Sequence, residues 1–514
     1  MNKYIKSLVF LLAIGSSIAF MQSCTNLEEE VFSNPTGELL LTDSDNVIYL
    51  FGSAYTKLYP LYGHKFGVGY DCGTDLLVVP QRGGDWEDGG QWHRYHWQTW
   101  TAKEDYIDHL WGNSYSGINQ INTLIYQFEN LDDFDASEPV AELRALRALF
   151  YWRLVDAYGN VPINDQFPLP EGFLSKTSPR ADVYDFVESE LLEVMPLLSK
   201  EAGASMYGRM NYYAAQMVLA KLYLNAEVYT GTAQLQKANT AIDNILSGPF
   251  SLTNSSTQNF TQDASGSSEI ILGIAFDKVE AQPFEIHMFT LHYVLNDKFG
   301  ITGGPWNGLS AQESLYNLLA EDSNDARING LLFGEQYMVN GEQYQDESYE
   351  KPGGVVEDPD GPGLNLTPEV NELRPNCLRQ AGARIAKFPF IEGSNANTSN
   401  DFPIFRLSDV LLMKAEVLWR LGGRDGEALG YLNQVRTRSN AAELSSIDAQ
   451  TILDERAREL FAEGHRRTDM IRFGVYTATR WEKPDVSPDY VNLWPIPDKE
   501  IQLNSNLDQN PGYN

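Results

Sequence analysis

Apolar residues recur at three- and four-residue spacing along much of the chain, which predicts amphipathic helices. The segments with this spacing are 43–59, 103–128, 136–158, 180–198, 211–229 and 232–246. In the third segment a single apolar face is expected to be buried, and it consists of Leu143, Leu146, Phe150, Leu154 and Tyr158. Arg144, Arg147 and Asp156 are expected on the other faces, and Gly159 with Pro162 should end this helix.

The C-terminal part has the same pattern. Apolar positions from Leu407 to Leu418 form a stripe, Gly422-Gly423 interrupts it, and a second stripe runs from Ala428 to Val435, which predicts an αα-hairpin. Residues 248–401 differ, because they have few periodic segments and two patches rich in glycine and proline, at 300–308 and 351–363. We interpret this part as a loop-rich insertion with a short strand or two, one of them at Glu269–Phe276.

The predicted architecture is therefore mainly α. One domain, 43–514, has a helical scaffold made of 43–247 and 402–514, and it carries the insertion 248–401. The helices are expected to stack in pairs in a repeat-like way, although the sequence has no strict period.

Composition limits the partners. The chain has 514 residues, 43% of them hydrophobic, and 38 Lys and Arg against 70 Asp and Glu, for a net charge of −32. A chain this apolar can build a large core, and so acidic a surface disfavours nucleic acid and polyanionic ligands. The three cysteines are too few for a disulfide-stapled scaffold and include no C-x-x-C pair, so packing must supply the stability.

The N-terminus is typical of an exported lipoprotein. Two lysines precede an apolar stretch, 8–20, that is shorter than a membrane-spanning helix, and Met21-Gln22-Ser23-Cys24 resembles a bacterial lipobox. The acidic residues Glu28–Glu30 resemble the tract that directs lipoproteins of Bacteroidota to the cell surface. We expect a signal peptide at 1–23, lipidation of Cys24 and a tether at 24–42; ordinary secretion with a chance cysteine is the alternative.

Four blocks in order resemble the SusD/RagB family of surface glycan-binding lipoproteins. They are Ala141–Pro162, Phe405–Glu416 with Leu432–Arg438, Glu455–Gly474, and Trp494–Pro497 with Gln509–Tyr513. The resemblance implies tetratricopeptide-like helix pairs that support a variable binding half. It also implies a SusC-like TonB-dependent outer-membrane transporter as partner, usually faced by the helix pairs, and attachment to the outer membrane at the cell surface through the lipid. Such a protein binds and delivers its substrate without cleaving it.

Candidate binding residues centre on tryptophans in polar loops. Trp86 and Trp92 lie among glycine pairs and carboxylates, and Trp306 lies in a similar loop, 302–308. A flat ring in such a loop can stack on the apolar face of a sugar while polar groups bind its hydroxyls. We expect all three rings to be exposed, because burying a loop this polar would strand hydrogen-bonding groups at about 1–3 kcal/mol each. Trp97, Trp100 and Trp111 run into a helical segment and are expected in the core.

Polar residues near these rings are candidate partners for the ligand. Asp75 and Arg82 are the first candidates, followed by Tyr70, His287, Tyr293 and Asn307. Arg82 has an alternative role as a structural ion pair with Asp85 or Asp88. The ligand predicted for these tryptophans and their polar partners is an oligosaccharide or polysaccharide.

Catalytic motifs are missing from the sequence. It has no H-E-x-x-H, G-x-S-x-G or G-x-x-x-x-G-K pattern, and with 70 acids a glycosidase pair cannot be identified from spacing. His465 is interpreted as a packing residue, and no cofactor or metal is predicted, since Glu357–Gly361 lacks the spacing of a calcium loop. Cys72 and Cys377 either form a disulfide or remain separate buried thiols. Peptide capture, as in the RagB branch, a secreted glycoside hydrolase and a pure scaffold remain as alternative functions.

Overall fold

A computed structural model describes residues 44–132, 134–346 and 361–513, with side chains described from residue 50 onward. The chain divides into two compact units, Met1–Leu50 and Phe51–Asn514, and the described part of the first is the start of one helix. Apart from the start of that helix, every feature discussed below lies in the second unit. The predicted signal peptide, the lipidation site Cys24, the tether and most of the acidic patch Glu357–Gly361 lie outside the described residues.

The N-terminal half is helical wherever the apolar spacing predicts it. Its helices are α1 (Ser44–Tyr55), α2 (Tyr59–Gly63), α3 (Lys65–Val68), α4 (Gln91–Trp97), α5 (Asp105–Glu129), α6 (Ser137–Ala157), α7 (Arg180–Val194), α8 (Tyr212–Leu224), α9 (Ala226–Thr230) and α10 (Leu235–Leu246). Helix α6 ends before Gly159, which adopts φ +71° as expected of a residue that closes a helix. Helices α5, α6 and α7 pack side by side, and α8 packs against α10.

Helix α6 buries its predicted apolar face, with Leu143, Phe150 and Tyr158 fully inaccessible. The expectation that Arg147 and Asp156 point away from the core is wrong. Both are buried, because α6 is packed on more than one side: Arg147 pairs with Glu190 of α7, and Asp156 accepts a hydrogen bond from the Tyr229 hydroxyl at 2.7 Å. These two polar residues therefore bond across to neighbouring helices instead of facing solvent.

The C-terminal half contains the remaining described α-helices. They are α11 (Ile286–Thr290), α12 (Glu313–Ala320), α13 (Leu407–Leu421), α14 (Asp425–Arg438), α15 (Ala449–Leu460), α16 (Arg466–Arg472) and α17 (Asp498–Leu503). Helices α13 and α14 form the predicted αα-hairpin, with Gly422 and Gly423 at φ +78° and +71° in the connection. Among the residues that the structure describes, no helix is long and apolar enough to cross a membrane.

Short strands tie the insertion to the scaffold. They are β1 (Leu77–Val78), β2 (Ile270–Ala275), β3 (Ser310–Ala311), β4 (Leu331–Leu332), β5 (Gly334–Glu335), β6 (Asn365–Leu366), β7 (Arg384–Ile385) and β8 (Asp401–Arg406). They form four antiparallel pairs, β1-β3, β2-β8, β4-β7 and β5-β6. The strand predicted at 269–276 is confirmed, but the expectation of one or two strands within 248–401 is wrong, because six of the described strands lie there.

A network of charged side chains lies inside the C-terminal half. The Arg406 guanidinium, at the end of β8, is 2.9 Å from Glu269 and 2.6 Å from both Glu459 and Glu463, and all four residues are buried. His465 lies in a neighbouring cluster, where its Nδ1 is 3.4 Å from the Lys221 ammonium, which agrees with a packing role. Arg406, Glu459 and Glu463, which belong to the sequence blocks, are therefore core residues.

Candidate functional site

The β1-β3 pair brings two tryptophan-bearing loops together. Leu77 pairs with Ala311 and Val78 with Ser310, so the chain that leaves β1 and the chain that enters β3 lie side by side. We call 82–90 the first loop and 302–308 the second loop. The indole N–H of Trp86, in the first loop, donates to the Trp306 carbonyl in the second at 2.8 Å. Both tryptophans are half-buried, so each presents part of its ring to solvent.

Trp86 is held in one orientation by its neighbours. Its ring centroid is 5.2 Å from that of Phe289 and 6.3 Å from that of Trp92, and the Lys65 ammonium lies 5.7 Å from it. Gly308 passes beneath the ring so closely that a β-carbon there would lie 2.5 Å from two ring atoms. The ring therefore rests on the second loop with no room to move toward it.

The second loop is bound to helix α11 through its main chain. The Trp306 N–H donates to the Met288 carbonyl at 2.6 Å, and the Gly308 N–H donates to the Phe289 carbonyl at 2.9 Å. The Trp306 side chain packs against the apolar cluster around Met288 and Leu295. These contacts fix the second tryptophan at a definite position beside the first.

Two buried arginines support the loops from below. The Arg82 guanidinium donates to the carbonyls of Asn307, at 2.9 Å, and Ala381, at 3.0 Å, and also to the Leu378 carbonyl. Arg384 donates to the Asn307 side-chain oxygen at 2.7 Å and to the Arg379 carbonyl at 2.9 Å. We call Arg82 and Arg384 the arginine clamp. Burial, reinforced by the nearby charge of Arg82, holds the pKa of Arg384 well below its usual range.

Tyr293 lies at the edge of the same surface. Its hydroxyl donates to Asp85 in the first loop at 2.5 Å, and the Arg379 guanidinium lies 4.4 Å from its ring centroid. Burial and the bond to Asp85 raise the pKa of Tyr293, so its hydroxyl stays protonated. We call the half-buried rings of Trp86, Tyr293 and Trp306 the aromatic surface.

A buried ion pair supports Arg379 in turn. The Asp346 carboxylate lies 2.8 Å from Arg379 and 3.2 Å from the imidazole of His292. Burial lowers the pKa of His292 to about 4, so this imidazole is neutral at pH 7. Burial alone would raise the pKa of Asp346, but His292 and Arg379 outweigh it and the pKa is lowered, so this carboxylate is charged.

The expectation that Trp92 is exposed is wrong, since only 2% of it is accessible. Gly89 and Gly90 adopt φ +63° and +79° and turn the chain inward just before α4, which leaves Glu87 and Asp88 in solvent and directs Trp92 into the core. The polar groups are not stranded, because the indole N–H donates to Asp88 at 3.0 Å. In this structure Trp92 supports Trp86 from behind.

Four of the predicted polar partners, Tyr70, Arg82, His287 and Asn307, are buried. Tyr70 packs on Trp494 at 5.4 Å, and His287 is 2.8 Å from the Asn395 carbonyl, so both are bound within the protein. Arg82 and Asn307 belong to the support beneath the loops, and Arg82 bonds to carbonyls there instead of forming either ion pair considered for it.

Asp75 is not brought to the aromatic surface. Its carboxylate forms a two-point pair with Arg466 at 2.8 and 2.7 Å, which lowers its pKa despite the opposing effect of burial. Of the nine predicted ligand residues, the structure thus places Trp86, Tyr293 and Trp306 together on an accessible surface. Asp85, Arg379 and Arg384 belong to the same assembly and were missed by the sequence analysis. Of these three residues, Asp85 could have been identified from the sequence, because it is adjacent to Trp86.

Cys72 and Cys377 are separate buried thiols, which resolves the alternative left open by the sequence. Within 44–132, 134–346 and 361–513, no group of three or more His, Cys, Asp or Glu side chains is arranged to hold a metal ion. The chemistry available at the aromatic surface is stacking by rigid rings, flanked by the charged groups of Asp85 and Arg379.

Two family models match the sequence. The model described as the SusD family matches 379–513, and the model described as starch-binding, associating with outer membrane, matches 78–224. The starch-binding protein SusD of Bacteroides thetaiotaomicron is 26% identical over 433 residues, which are 77% of this chain and 76% of that protein. A SusD-like protein of Formosa agariphila is 28% identical over 428 residues, 77% of each chain.

Solved structures share the fold. A laminarin-binding SusD-like protein superposes with a TM-score of 0.70 at 21% identity and covers 92% of this chain and 100% of its own. Surface glycan-binding protein A from Bacteroides thetaiotaomicron, in complex with laminarihexaose, has a TM-score of 0.71 at 20% identity and covers 91% of this chain and 99% of its own. The mainly α fold predicted from the sequence is confirmed by this likeness.

Proposed function

The chain belongs to the SusD family, and from this premise we propose that it captures neutral oligosaccharides on the aromatic surface of Trp86, Tyr293 and Trp306. The observation that carries the proposal is the pair of half-buried indoles joined by the hydrogen bond from Trp86 to the Trp306 carbonyl. Relatives whose names describe starch binding and laminarin binding support glucans as the first ligands to test.

The physical fit is to an uncharged ligand with apolar faces. Indole rings bury much apolar area and are held here without side-chain freedom, so a sugar that stacks on them orders little of the protein. Asp85 lies beside the rings, and its half-buried carboxylate can accept hydrogen bonds from hydroxyl groups. A chain with a net charge of −32 repels polyanions, which favours neutral glycans over uronate or sulfated ones.

The proposal extends to delivery. We place the protein at the outer membrane, attached through a lipid on Cys24, where it passes captured glycan to a SusC-like TonB-dependent transporter without cleaving it. The outer-membrane description of the matching family model supports this location. Labelling with a radioactive fatty acid that is lost in Cys24→Ser, and co-purification of a transporter from the native membrane, would test the anchor and the partner separately.

Replacing either indole should weaken glycan binding. We expect Trp86→Ala and Trp306→Ala each to reduce affinity for maltohexaose or laminarihexaose at least about tenfold, which corresponds to about 1.4 kcal/mol of lost contact. Calorimetric titration of the purified protein measures this. Trp419→Ala is the matched control, since Trp419 is a half-buried tryptophan on α13, and its affinity should equal that of the wild type.

The same titrations separate the alternatives. Hexasaccharide that is shortened after long incubation with the protein would favour a glycoside hydrolase over a capture protein. Binding of peptides that depends on Trp86 and Trp306, with no binding of any neutral sugar, would favour peptide capture. Equal affinities in all three tryptophan variants would place the site elsewhere.

Gly308→Ala should abolish binding without removing any ring. A β-carbon at this position would meet three atoms of the Trp86 ring at 2.5, 2.5 and 2.9 Å, so the ring must leave its place on the second loop. Gly304→Ala, in the same loop, meets nothing within 4 Å and should bind normally. Affinity and the emission maximum of tryptophan fluorescence report the effect. A Gly308→Ala protein that binds as well as Gly304→Ala would show that the position of Trp86 does not determine binding.

A further inference from the structure

A second groove of about 610 Å³ lies on the helical scaffold. It is bounded by one face of α5, by Lys57, by the connection 162–175 and by the C-terminal segment 500–507. None of its lining residues belongs to the aromatic surface or to the arginine clamp. Four parts of the chain that are distant in sequence therefore build a concave site that the proposed function does not use.

A rigid aromatic ring forms part of its wall. The Tyr115 hydroxyl donates to the Pro162 carbonyl at 2.7 Å, and its ring centroid lies 4.8 Å from that of the buried Trp111. Tyr115 is half-buried, so part of its ring faces the groove. Because both ends of the side chain are fixed, the ring is already placed for a ligand.

The Asn119 side chain, one helical turn from Tyr115, has an amide without a hydrogen bond to the residues that the structure describes. Asn119 is exposed, lines the groove beside Tyr115, and its side chain makes no hydrogen bond within the described chain. The neighbouring Gln120 donates its amide to Ser53 at 2.9 Å, and its carbonyl oxygen has no such bond within the described chain. This wall thus combines a ring with a free donor and free acceptors.

Two more amides of the lining, those of Asn164 and Asn504, are held in fixed positions. Ser175 donates to the Asn164 side-chain oxygen at 2.6 Å, and the Asn504 amide donates to the Ser175 carbonyl at 2.9 Å. The first bond leaves the Asn164 amide hydrogens available to the groove. Amides from α5 and from the segments 162–175 and 500–507 therefore line a space large enough for several sugar units.

The lining also indicates what kind of ligand fits. Lys57 and Glu500 are its two charged residues, one of each sign, which does not suit a phosphate, a metal ion or a strongly charged peptide. Its aliphatic residues are Pro162 and Leu507, with no row of apolar pockets for alternating peptide side chains. Neutral amides, hydroxyls and one fixed ring match a neutral polyhydroxylated molecule.

We propose that this groove is a second binding site for a neutral oligosaccharide, with Tyr115 as its stacking ring and Asn119 as its main hydrogen-bonding group. The choice of glucans as probes rests on the proposed function, while the groove itself does not. Two sites on one chain would bind one polymer together, so the polymer should bind more tightly than a short oligomer binds either site.

The experiment compares hexasaccharides with polymers. Calorimetric titrations with maltohexaose, laminarihexaose, soluble starch and laminarin are made on the wild type, Tyr115→Ala, Asn119→Ala and the Trp86→Ala/Trp306→Ala double variant. We expect two hexasaccharide sites in the wild type and one in Tyr115→Ala. We also expect at least a tenfold loss of polymer affinity in Tyr115→Ala and Asn119→Ala. The double tryptophan variant should keep the site that depends on Tyr115.

Controls separate this proposal from the proposed function. Asn317→Ala replaces an exposed asparagine on α12 and should behave as wild type. Binding that depends on Trp86 and Trp306 but is unchanged in Tyr115→Ala and Asn119→Ala would overturn the groove alone. The reverse pattern would overturn the aromatic surface alone. The saccharide assignment would be overturned if the groove bound the neutral peptide Ala-Gln-Ala-Gln-Ala but no sugar, and if Asn119→Ala abolished that peptide binding. Absence of any sugar binding would overturn both the groove and the aromatic surface as saccharide sites.

Discussion

Lowering the pH from about 6.5 to about 4.5 is expected to destabilise the protein steeply, because its histidines are held in the neutral form. The sequence has seven histidines, and burial lowers the pKa of every one of them. The pKa is lowered to about 4 for His93, His287 and His292, and to about 3 for His96. The free energy of folding therefore contains a contribution from keeping these rings uncharged.

The sign follows from proton uptake. Between pH 6.5 and pH 4 the unfolded chain binds protons on its histidines while the folded chain does not, so acid favours unfolding at about 1.4 kcal/mol per pH unit for each proton. The loss stops below the folded pKa values, where both states are protonated. Asp71 acts in the opposite direction, because burial raises its pKa to about 7 and the folded state takes up that proton first. Burial also raises the pKa of five other carboxyl groups, Glu142, Glu285, Asp401, Asp454 and Glu500, which add to this opposing effect. They reduce the loss that the seven histidines cause, and we expect a net loss on the order of 5 kcal/mol.

Urea unfolding followed by circular dichroism at several pH values between about 7 and 4.5 measures this slope. His96→Gln is the matched variant, since the His96 ring lies 2.8 Å from the Trp481 carbonyl and the glutamine amide can donate in its place without titrating. Its slope should be shallower than that of the wild type. A free energy of unfolding that stays constant over this range would contradict the prediction.

The second large effect is expected from Arg406→Met. This change removes the guanidinium that Glu269, Glu459 and Glu463 share inside the protein and leaves their charges partly uncompensated. Breaking a buried pair from one side costs about 3–5 kcal/mol, since the remaining charge stays in a poorly polarisable interior. We expect the free energy of unfolding to fall by this amount.

Arg424→Met provides the comparison for this prediction. Arg424 pairs with Glu427 at 2.7 Å, but both side chains are more than 40% exposed, and such pairs contribute at most about 1 kcal/mol. Chemical denaturation of both variants at neutral pH gives the difference. If the two variants lose the same stability, the interior network is not a major contributor.

The helices were predictable because their signal is local. Apolar spacing and the Gly159 and Gly422-Gly423 stops follow from the chain within a turn or two of each position, and the structure has helices in all of these segments. Which polar residues enter the core could not be predicted the same way. Arg147 and Asp156 are buried because partners more than 40 residues away accept or donate their hydrogen bonds, and such pairs have no local pattern.

The site residues show the same contrast between local signals and contacts made by residues distant in sequence. Trp86 and Trp306 were identified because a large ring in a glycine-rich polar loop is unusual in itself. Trp92 has the same local surroundings, yet two left-handed glycines turn it inward, and spacing does not encode that turn. Arg384 and Arg379 lie in sequence without aromatic or glycine-rich neighbours of note, so nothing local distinguishes them from other arginines of the chain.

The arginine clamp has a consequence for how such a protein changes over generations. Arg82 and Arg384 join the second loop to the segment 378–381 chiefly through main-chain carbonyls, those of Asn307, Leu378, Arg379 and Ala381. Every residue type carries the same carbonyl, so the clamp is indifferent to most side chains that it secures. Solvent-facing rings and charges of these loops can therefore be exchanged by mutation while the main-chain conformation of the loops is kept. The ligand specificity of such a protein can change by drift and selection without loss of the fold that supports the site.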